Sequence, residues 1–454
     1  MTAHLFLPGP RRRAWIALAF AMATSVSSFS AQGADCGLTP EDAARVRQLS
    51  QDMVSRGHAP GVVIDLRCQG QPWLQVAVGQ ADLARKQPMR AEHLFRIYSM
   101  TKPLTSLLAL MLVEEGRLSL DDPVARHLPK FAETRVHSGS AAFPPESVSA
   151  QRPVTVRGLL RHSAGLTYLS PLPNPVTRAY VEKGIDHGGG NRVVPTDGSA
   201  PVSSLQDLTQ RLASVPLMTQ PGARFTYGNA TDVLGGVVEA VTGQRLRDVM
   251  ASRLLQPLGM RDTSFQVQPD QLERLPAAYT APAQAGGGTA ILRRASMLDV
   301  APSNFTLADD PPYSVFATRR LVDFGGAGLV STADDYQRFL RLMLQRGRWD
   351  GGQWVRRDTV AAMTLNQLEP AALRDTPLER QGLGFGLGFA IFLDPKQSPA
   401  AVPQDGYFWG GAASTFFWVD PGRGITGVLM TQVFGGDVGP YFTELMDILY
   451  RPHP

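Results

Sequence analysis

Lysine is scarce in this chain, and its scarcity makes one lysine stand out. Of the 44 lysine and arginine residues, five are lysines: Lys86, Lys102, Lys130, Lys183 and Lys396. An ordinary surface cation here is therefore an arginine, which stays charged at any working pH. Lys102 follows Ser99 by three residues in the stretch "IYSMTKPLTS". Because a buried lysine can lose its proton and act as a base, this pair invites a chemical interpretation.

Several short motifs of common enzymes are missing as well. The sequence has no Gly-x-Ser-x-Gly, no His-Glu-x-x-His, no Gly-x-x-x-x-Gly-Lys-Ser/Thr and no Cys-x-x-Cys. These absences exclude the simplest hydrolase, zinc and phosphate-binding assignments. The eight histidines show no metal-ligand spacing. The sequence therefore predicts neither a metal nor an organic cofactor.

The chain has almost no net charge once the N-terminal leader is set aside. The formal net charge is +4, and three of the positive charges belong to residues 11–13. The near-neutral remainder argues against a nucleic-acid partner. The three arginines precede the apolar run "AWIALAFAMA" and a stretch of small residues. This pattern predicts a secretory signal peptide at residues 1–33, too short to span a membrane, and a mature exported or periplasmic protein at 34–454.

Cysteine is scarcer still, and the chain has two, Cys36 and Cys68. An exported compartment permits a disulfide between them. Cys36 precedes a predicted helix and Cys68 ends a predicted strand, so an antiparallel return of the chain would bring them together. A disulfide and two unpaired thiols both remain open. Neither cysteine has a neighbouring histidine, which argues against a cysteine nucleophile.

Local patterns predict strands at both ends of the chain and helices between them. The predicted elements are a helix at 41–56, a hairpin of 61–68 and 72–81, helices at 104–116 and 246–260, strands at 416–420 and 425–432, and a last helix at 440–450. The helix at 104–116 is apolar all round, which indicates burial. One sheet is thus expected from residues 36–98 and 300–454, beside a mostly helical part at 99–299. Residues 186–201 and 281–290 predict long loops that either cover a cleft or are surface excursions.

Ser99 and Lys102 have the spacing of an activated nucleophile. If a helix begins at Ser99, residues three apart share a face, and the lysine comes within reach of the serine hydroxyl. The positive end of the helix dipole favours an alkoxide there and disfavours the lysine's charge. Pro103 then has to occupy the first turn, where its missing N–H does no harm. Alone, the pair is also compatible with a helix start carrying a solvated lysine.

A second group of candidates precedes the apolar helix in "PGARFTYGNATDVLGGVVEAVTG" (221–243). Tyr227 is either a half-buried aromatic or a phenol that relays a proton. Asn229 is suited to cap the helix, with Asp232 at the N3 position, and to bind a ligand as well.

A third element is "YFWGGAASTFFWVD" (407–420), in which Gly410 and Gly411 precede a strand. Glycines let a substrate or another backbone approach closely, and a backbone N–H directed into that space can stabilise an oxyanion. The simpler alternative is a bulge or turn with Trp409 as a core aromatic.

Together and in this order, the three elements resemble those of the penicillin-recognising serine hydrolases. The chain is most similar to the class C β-lactamase-related (family VIII) carboxylesterases, in which the third motif is Trp-Gly-Gly. Further similarity lies in "LLRHSAGL" (159–166), "PLGMRDTSF" (257–265) and "GGAGLVSTADDYQRFL" (325–340). The resemblance implies an α+β, β-lactamase/transpeptidase-like fold, with an antiparallel sheet from both chain ends flanked by helices and a mostly helical inserted domain.

The resemblance also implies a role for each matching residue. Ser99 would be the acyl-forming nucleophile, and Lys102 and Tyr227 would share the general acid and base work. Asn229 would help to hold the lysine and the substrate. The N–H groups of Ser99 and of Ala412, which follows Trp409-Gly410-Gly411, would form the oxyanion hole. His162 matches a recurrent loop position and is expected to be structural.

The sequence departs from the β-lactamase pattern at Trp409. β-Lactamases and D-alanyl peptidases usually carry a lysine there, which receives the substrate carboxylate, so a neutral short-chain ester is the expected small-molecule substrate. An arginine from a loop would restore the charge, so a β-lactamase or D-alanyl-D-alanine carboxypeptidase remains the alternative. A non-catalytic descendant that binds peptidoglycan or a protein is the alternative of another class. The sequence does not determine the oligomeric state.

Overall fold

The main sheet is assembled from the two ends of the chain, as the sequence predicts. In the computed structural model its eight strands are β1 (Gly61–Cys68), β2 (Gln71–Asp82), β3 (Gln87–Pro88), β4 (Leu383–Phe385), β5 (Ala390–Phe392), β6 (Tyr407–Gly411), β7 (Thr415–Asp420) and β8 (Ile425–Met430). Their order across the sheet is β4-β5-β6-β7-β8-β1-β2-β3. All neighbours are antiparallel, and β8 pairs with β1 so that Val63 lies opposite Met430. The predicted α+β class is confirmed.

The structure describes residues 36–169, 174–186, 194–281, 304–318, 322–435 and 438–451. The predicted signal peptide lies outside the described residues. So do residues 187–193 of the predicted loop 186–201 and residues 282–290 of the predicted loop 281–290.

Ten helices of the described chain carry labels here. They are α1 (Pro40–Ser55), α2 (Thr101–Glu114), α3 (Val156–Leu160), α4 (Pro175–Glu182), α5 (Leu205–Ala213), α6 (Ala230–Thr242), α7 (Leu246–Met250), α8 (Ala333–Leu344), α9 (Arg357–Thr364) and α10 (Gly439–Tyr450). The helical unit predicted at 246–260 is α7, which continues through a π-helical turn at Ala251–Leu255 to Leu258. No helix in the described ranges is long and apolar enough to cross a membrane.

Short strands complete the architecture. Phe95–Arg96 pairs with Val330–Ser331, Arg135–His137 with Ser147–Ser149, Arg348–Trp349 with Gly352–Gln353, and Ala278–Thr280 with both Thr306–Asp309 and Val433–Phe434. The first of these pairs lies directly before the segment that carries Ser99.

Both faces of the main sheet are covered by helices. Helices α1 and α10 pack against each other, α1 also contacts β1 and β2, and α8 contacts β1, β7 and β8. Seven of the eight residues of β1 are therefore buried. This double cover explains why "GVVIDLRC" is a nearly continuous apolar run instead of an alternating one.

Cys36 and Cys68 form a disulfide, which resolves the alternative that the sequence left open. Their sulfur atoms are 1.97 Å apart and close a separation of 32 residues. Arg423 adds a second attachment of the same segment, because its Nε donates to the Cys36 carbonyl. The start of the described chain is thereby fixed to the end of β1 and to the turn between β7 and β8.

Candidate active site

Ser99 lies on a single 3₁₀ turn, Tyr98–Met100, that leads directly into α2. Tyr98 has a φ of 42°, a left-handed conformation that costs a non-glycine residue of order 1–3 kcal/mol. Its buried ring packs edge-on against Phe316 and Phe434, with ring centroids 5.7 and 5.3 Å away. This packing holds the turn, and Ser99 remains partly exposed while its neighbours are buried.

Lys102 has the position that its spacing from Ser99 predicts. Its side chain is fully buried in the first turn of α2, and Pro103 follows it without breaking the helix. The Nζ donates to Ser99 Oγ at 3.1 Å, to the Tyr168 hydroxyl at 2.9 Å and to the Gly326 carbonyl at 2.8 Å. Three oxygen acceptors around one amine fix its direction toward the serine.

Tyr168 is a site residue that the sequence interpretation missed. It lies two residues beyond the quoted segment "LLRHSAGL", and its hydroxyl accepts one of the three Lys102 hydrogen bonds. Burial raises the pKa of Tyr168 well above its usual value, and the nearby Asp232 and Tyr227 add to the effect. This phenol therefore holds its proton more firmly than an ordinary tyrosine.

Tyr227 flanks Lys102 on another side. Its ring centroid is 4.7 Å from Lys102 Nζ, and its hydroxyl accepts a 3.2 Å hydrogen bond from Trp409 Nε1. The ring is partly buried and makes edge contacts with Tyr168 and Trp409. Trp409 thus joins the third predicted element to the second through its indole N–H.

His162 packs behind Tyr227, with ring centroids 4.7 Å apart. It is 1% exposed and also contacts the rings of Phe225 and Phe385. Burial lowers the pKa of His162 well below its usual value, and the charge of Lys102 lowers it further. A neutral imidazole in an aromatic setting agrees with the structural role expected for it.

Asn229 stands at the N-cap position of α6, but the expected capping bond is wrong. Its side chain makes no cap hydrogen bond. The amide instead donates to the Asp186 carbonyl at 3.2 Å and to Asp232 Oδ2 at 3.5 Å. Asn229 therefore ties Asp186 to the start of α6, and its role toward lysine and substrate stays a prediction.

Asp232 supplies a buried carboxylate beside Lys102. Its Oδ1 accepts the Gly326 N–H at 2.9 Å, and the carbonyl of the same glycine accepts from Lys102. Burial raises the pKa of Asp232 to about 6, against the opposing influence of the Lys102 charge and the Gly326 N–H. A Cβ on Gly326 would lie 2.9 Å from Asp232 Oδ2 and 3.1 Å from the Tyr168 hydroxyl, so only glycine leaves room for this arrangement.

The Trp-Gly-Gly element ends strand β6 beside the serine turn. A Cβ on Gly411 would overlap the Ile97 carbonyl oxygen and Thr415 Oγ1. Gly411 is thus required for the approach of another backbone, one of the two alternatives that the sequence left open. Ala412 follows as the exposed first residue of the turn to β7. Ile97 is two residues before Ser99, so the contact brings the segments that carry Ser99 and Ala412 close to each other.

Comparisons with known proteins agree with this geometry. The profile of the beta-lactamase family matches residues 45–446. Protein Rv1367c of Mycobacterium tuberculosis is 33% identical over 360 residues, which cover 78% of this chain and 81% of that protein. Esterase EstB of Burkholderia gladioli is 31% identical over 417 residues, which cover 90% of this chain and 95% of the esterase.

A solved structure gives the same result. EstCE1, described as a hydrolase with promiscuous acyltransferase activity, superposes with a TM-score of 0.72 at 28% identity, over 90% of this chain and 98% of that one. The family profile and these full-length similarities extend over the sheet, the helical part and the segment around Ser99. The chain is a serine hydrolase that belongs to the beta-lactamase family.

Proposed function

We propose that this protein is an exported esterase that cleaves short-chain carboxylic esters through an acyl-enzyme on Ser99. The observation that carries the proposal is the 3.1 Å hydrogen bond between the buried Lys102 Nζ and the partly exposed Ser99 Oγ. A hydroxyl that is open to substrate and bonded to a buried amine has the arrangement of an activated nucleophile. The similarity to an esterase, EstB, supports the same activity.

The first half-reaction begins with attack of Ser99 Oγ on the acyl carbonyl. The serine proton passes to the Lys102 and Tyr227 pair. Lys102 Nζ lies 3.1 Å from Ser99 Oγ and 4.7 Å from the centroid of the Tyr227 ring. The same pair returns a proton to the leaving alcohol. Tyr168, with its raised pKa, keeps its own proton and accepts a Lys102 hydrogen bond. Tyr168 therefore orients the lysine.

Two backbone N–H groups stabilise the tetrahedral oxyanion in this proposal. Ser99 supplies one from its own turn, and Ala412 supplies the other from the turn after β6. The close approach of Gly411 to Ile97 supports this choice of two donors, because it brings the segments that carry Ser99 and Ala412 close to each other. Water then attacks the acyl-enzyme by the reverse sequence of proton transfers and releases the acid.

The surroundings of Trp409 favour an ester over a lactam or peptide. Its indole N–H donates to the Tyr227 hydroxyl, and its ring packs on Phe385 with centroids 5.3 Å apart. The position that would receive a substrate carboxylate in a β-lactamase thus holds a neutral donor that already has an acceptor. A carboxylate placed there would lose water without gaining a cation, which is costly.

Export is supported by the disulfide. Disulfides persist in oxidising compartments and are rare in the cytosol. The bond between Cys36 and Cys68 begins three residues after the predicted cleavage site at residue 33. The mature chain would therefore be covalently fixed close to its new N-terminus.

A turnover assay of the leaderless protein and two variants tests the proposal. Ser99→Ala should abolish cleavage of a p-nitrophenyl butyrate ester, whereas Ser106→Ala, a buried serine on the same helix, should retain it. A chromogenic cephalosporin should be turned over slowly by the leaderless protein and by Ser106→Ala, and not at all by Ser99→Ala. Ester cleavage that survives Ser99→Ala would remove the proposed nucleophile, and a preference for the cephalosporin would replace the esterase assignment by a β-lactamase one.

A further inference from the structure

A chain of buried polar side chains lies beneath the proposed oxyanion hole. Arg96, Thr431 and Gln432 are 0%, 0% and 3% exposed. They border the small apolar cluster that contains Tyr98, Phe316 and other buried residues of the same region. A polar side chain buried in such a place destabilises the protein unless it is hydrogen-bonded. The partners of these three therefore show what they hold in place.

Gln432 binds the strand that leads to the nucleophile. Its Oε1 accepts from the Arg96 backbone N–H at 3.2 Å and from Arg96 Nη1 at 3.1 Å. Its Nε2 donates to the Arg96 carbonyl at 3.2 Å. One side-chain amide thus satisfies both backbone groups of Arg96, as a neighbouring strand would. Arg96 lies three residues before Ser99, so Gln432 fixes the entry to the serine turn.

Thr431 binds the turn after β6, which carries the second proposed oxyanion donor, Ala412. Its hydroxyl donates to the Ala413 carbonyl at 2.9 Å, and the Val433 N–H donates to the same carbonyl at 3.1 Å. Ser414 Oγ donates to the Val433 carbonyl at 2.8 Å and adds a further tie. The turn that carries Ala412 is thereby anchored to the two residues on either side of Gln432.

The anchored turn determines the direction of the Ala412 N–H. Ser414 N–H donates to the Gly411 carbonyl at 3.0 Å and closes the turn. The Gly411 carbonyl and the Ala412 N–H belong to one peptide plane and point in opposite directions across it. A carbonyl held inside the turn therefore directs the N–H outward from the turn.

We propose that Thr431 and Gln432 are positioning residues that set the distance and angle between the two oxyanion donors. Adjacent in sequence, they bind the donor segments from below: Gln432 holds Arg96 before Ser99, and Thr431 holds Ala413 after Ala412. Neither side chain touches substrate. The inference rests on the proposed function, since it takes Ser99 and Ala412 as the donors of an acyl-transfer site.

Thr431→Val is the most direct test because it keeps the shape of the side chain and removes the hydroxyl. Thr426→Val is its matched control. Thr426 lies on β8, is 1% exposed and donates to Gln337 Oε1 at 2.6 Å, away from the hole. Thr431→Ser restores the hydroxyl. Each leaderless variant is assayed for kcat and KM on a p-nitrophenyl ester, for Tm, and for inhibition by a trifluoromethyl ketone. Addition of Ser99 Oγ to the ketone carbon would form a hemiketal whose oxyanion occupies the hole.

If the Ala412 N–H points in the wrong direction, kcat should fall, but by less than if this donor were absent. We expect kcat of Thr431→Val to fall about tenfold with KM nearly unchanged. Inhibition by the ketone should weaken by a similar factor. Thr426→Val should lower Tm to a comparable extent and keep kcat within twofold of the unmodified protein, and Thr431→Ser should recover most of the activity.

The proposal is overturned if Thr431→Val keeps its kcat, if Thr426→Val loses as much activity, or if Thr431→Ser does not recover. If Thr431→Val does not fold, Gln432→Glu takes its place, because it keeps the Oε1 acceptor and removes the donor to the Arg96 carbonyl. An unchanged kcat in that variant overturns the proposal as well. The Ser99→Ala control separates this failure from failure of the proposed function. An active Ser99→Ala protein removes the esterase mechanism itself, whereas an inactive one beside a normal Thr431→Val protein removes only the positioning role.

Discussion

At the scale of single residues, the site is organised around one buried amine. Lys102 donates to three oxygens from three distant segments of the chain: Ser99, Tyr168 and Gly326. Asp232 reaches the same amine indirectly, through the peptide of Gly326. The resulting group of one cation, one carboxylate and two phenols is enclosed, so a change of charge at any member alters the others.

Asp232 should give the enzyme a titration near neutral pH. Its pKa is raised to about 6 by burial. Above that pH the Asp232 carboxylate would stabilise the positive charge that Lys102 gains in the proposed mechanism, when it takes up the serine proton. The nearby Asp186 opposes the ionisation of Asp232. We expect kcat to rise as the pH passes through about 6, and the rise should be lost in Asp232→Asn together with part of the activity.

The carboxyl of Asp232 should also make the free energy of unfolding depend on pH, in a direction that its raised pKa determines. Because the folded pKa exceeds the unfolded one, its contribution to stability is complete below about pH 4 and is lost as the pH rises through 6. Asp232→Asn should remove this loss, measured by urea unfolding from pH 4 to 7. Asp335 is the matched control, since burial raises its pKa to about 6 as well. Asp335→Asn should change the stability profile in the same sense and leave the kcat profile unchanged. A kcat profile that shifts equally in both variants would contradict the role of Asp232.

At the scale of elements, the sequence predicted the helices and strands whose pattern depends on residues close to one another in the chain. Helix α1, the hairpin of β1 and β2, the buried helix α2 and the strands β7 and β8 lie within a few residues of their predicted bounds. The expected proximity of Ser99 and Lys102 follows from one helical turn. Tyr168 was not predicted, because its contact with Lys102 joins residues 66 positions apart and leaves no local pattern. The capping role of Asn229 was wrong, because tertiary contacts with Asp186 replaced a local one.

Gly411 tests the contact between two of these elements. A methyl group there would overlap the Ile97 carbonyl and Thr415 Oγ1, so β6 would have to move away from the serine turn. We expect Gly411→Ala to lower kcat at least tenfold and the free energy of unfolding by about 1–3 kcal/mol. Gly352→Ala is the control, since its added Cβ would meet its nearest neighbour, the Trp349 carbonyl oxygen, at 3.9 Å. Equal kcat values for the two variants would show that the approach of β6 does not matter for catalysis.

At the scale of the whole molecule, the pairing of β1 with β8 joins the two ends of the chain, and the disulfide fixes the N-terminal segment to the end of β1. Strands β1 and β8 pair along their length, and Cys68 lies opposite Ile425, at the far end of β8 from Thr431 and Gln432. The disulfide therefore strengthens one end of this pair, and the proposed oxyanion network lies at the other. Loss of the disulfide should therefore lower the free energy of unfolding without lowering kcat.

Replacing both cysteines by serine tests that separation. Closing a loop across 32 residues is expected to contribute about 3 kcal/mol through the unfolded state. The double variant Cys36→Ser, Cys68→Ser should lose about that much free energy of unfolding and keep its kcat and KM. A large loss of kcat in a folded double variant would mean that the disulfide also shapes the site.

The central claim is that Ser99 becomes acylated, and trapping it is the most direct test. The leaderless protein is treated with a p-nitrophenyl alkylphosphonate, which forms a stable adduct with an activated serine, and is then analysed by intact mass and peptide mapping. The account predicts one adduct per chain, on the peptide that contains Ser99, with loss of ester turnover in proportion to labelling and no adduct in Ser99→Ala. An adduct on another residue, or turnover that persists in fully labelled protein, would contradict it.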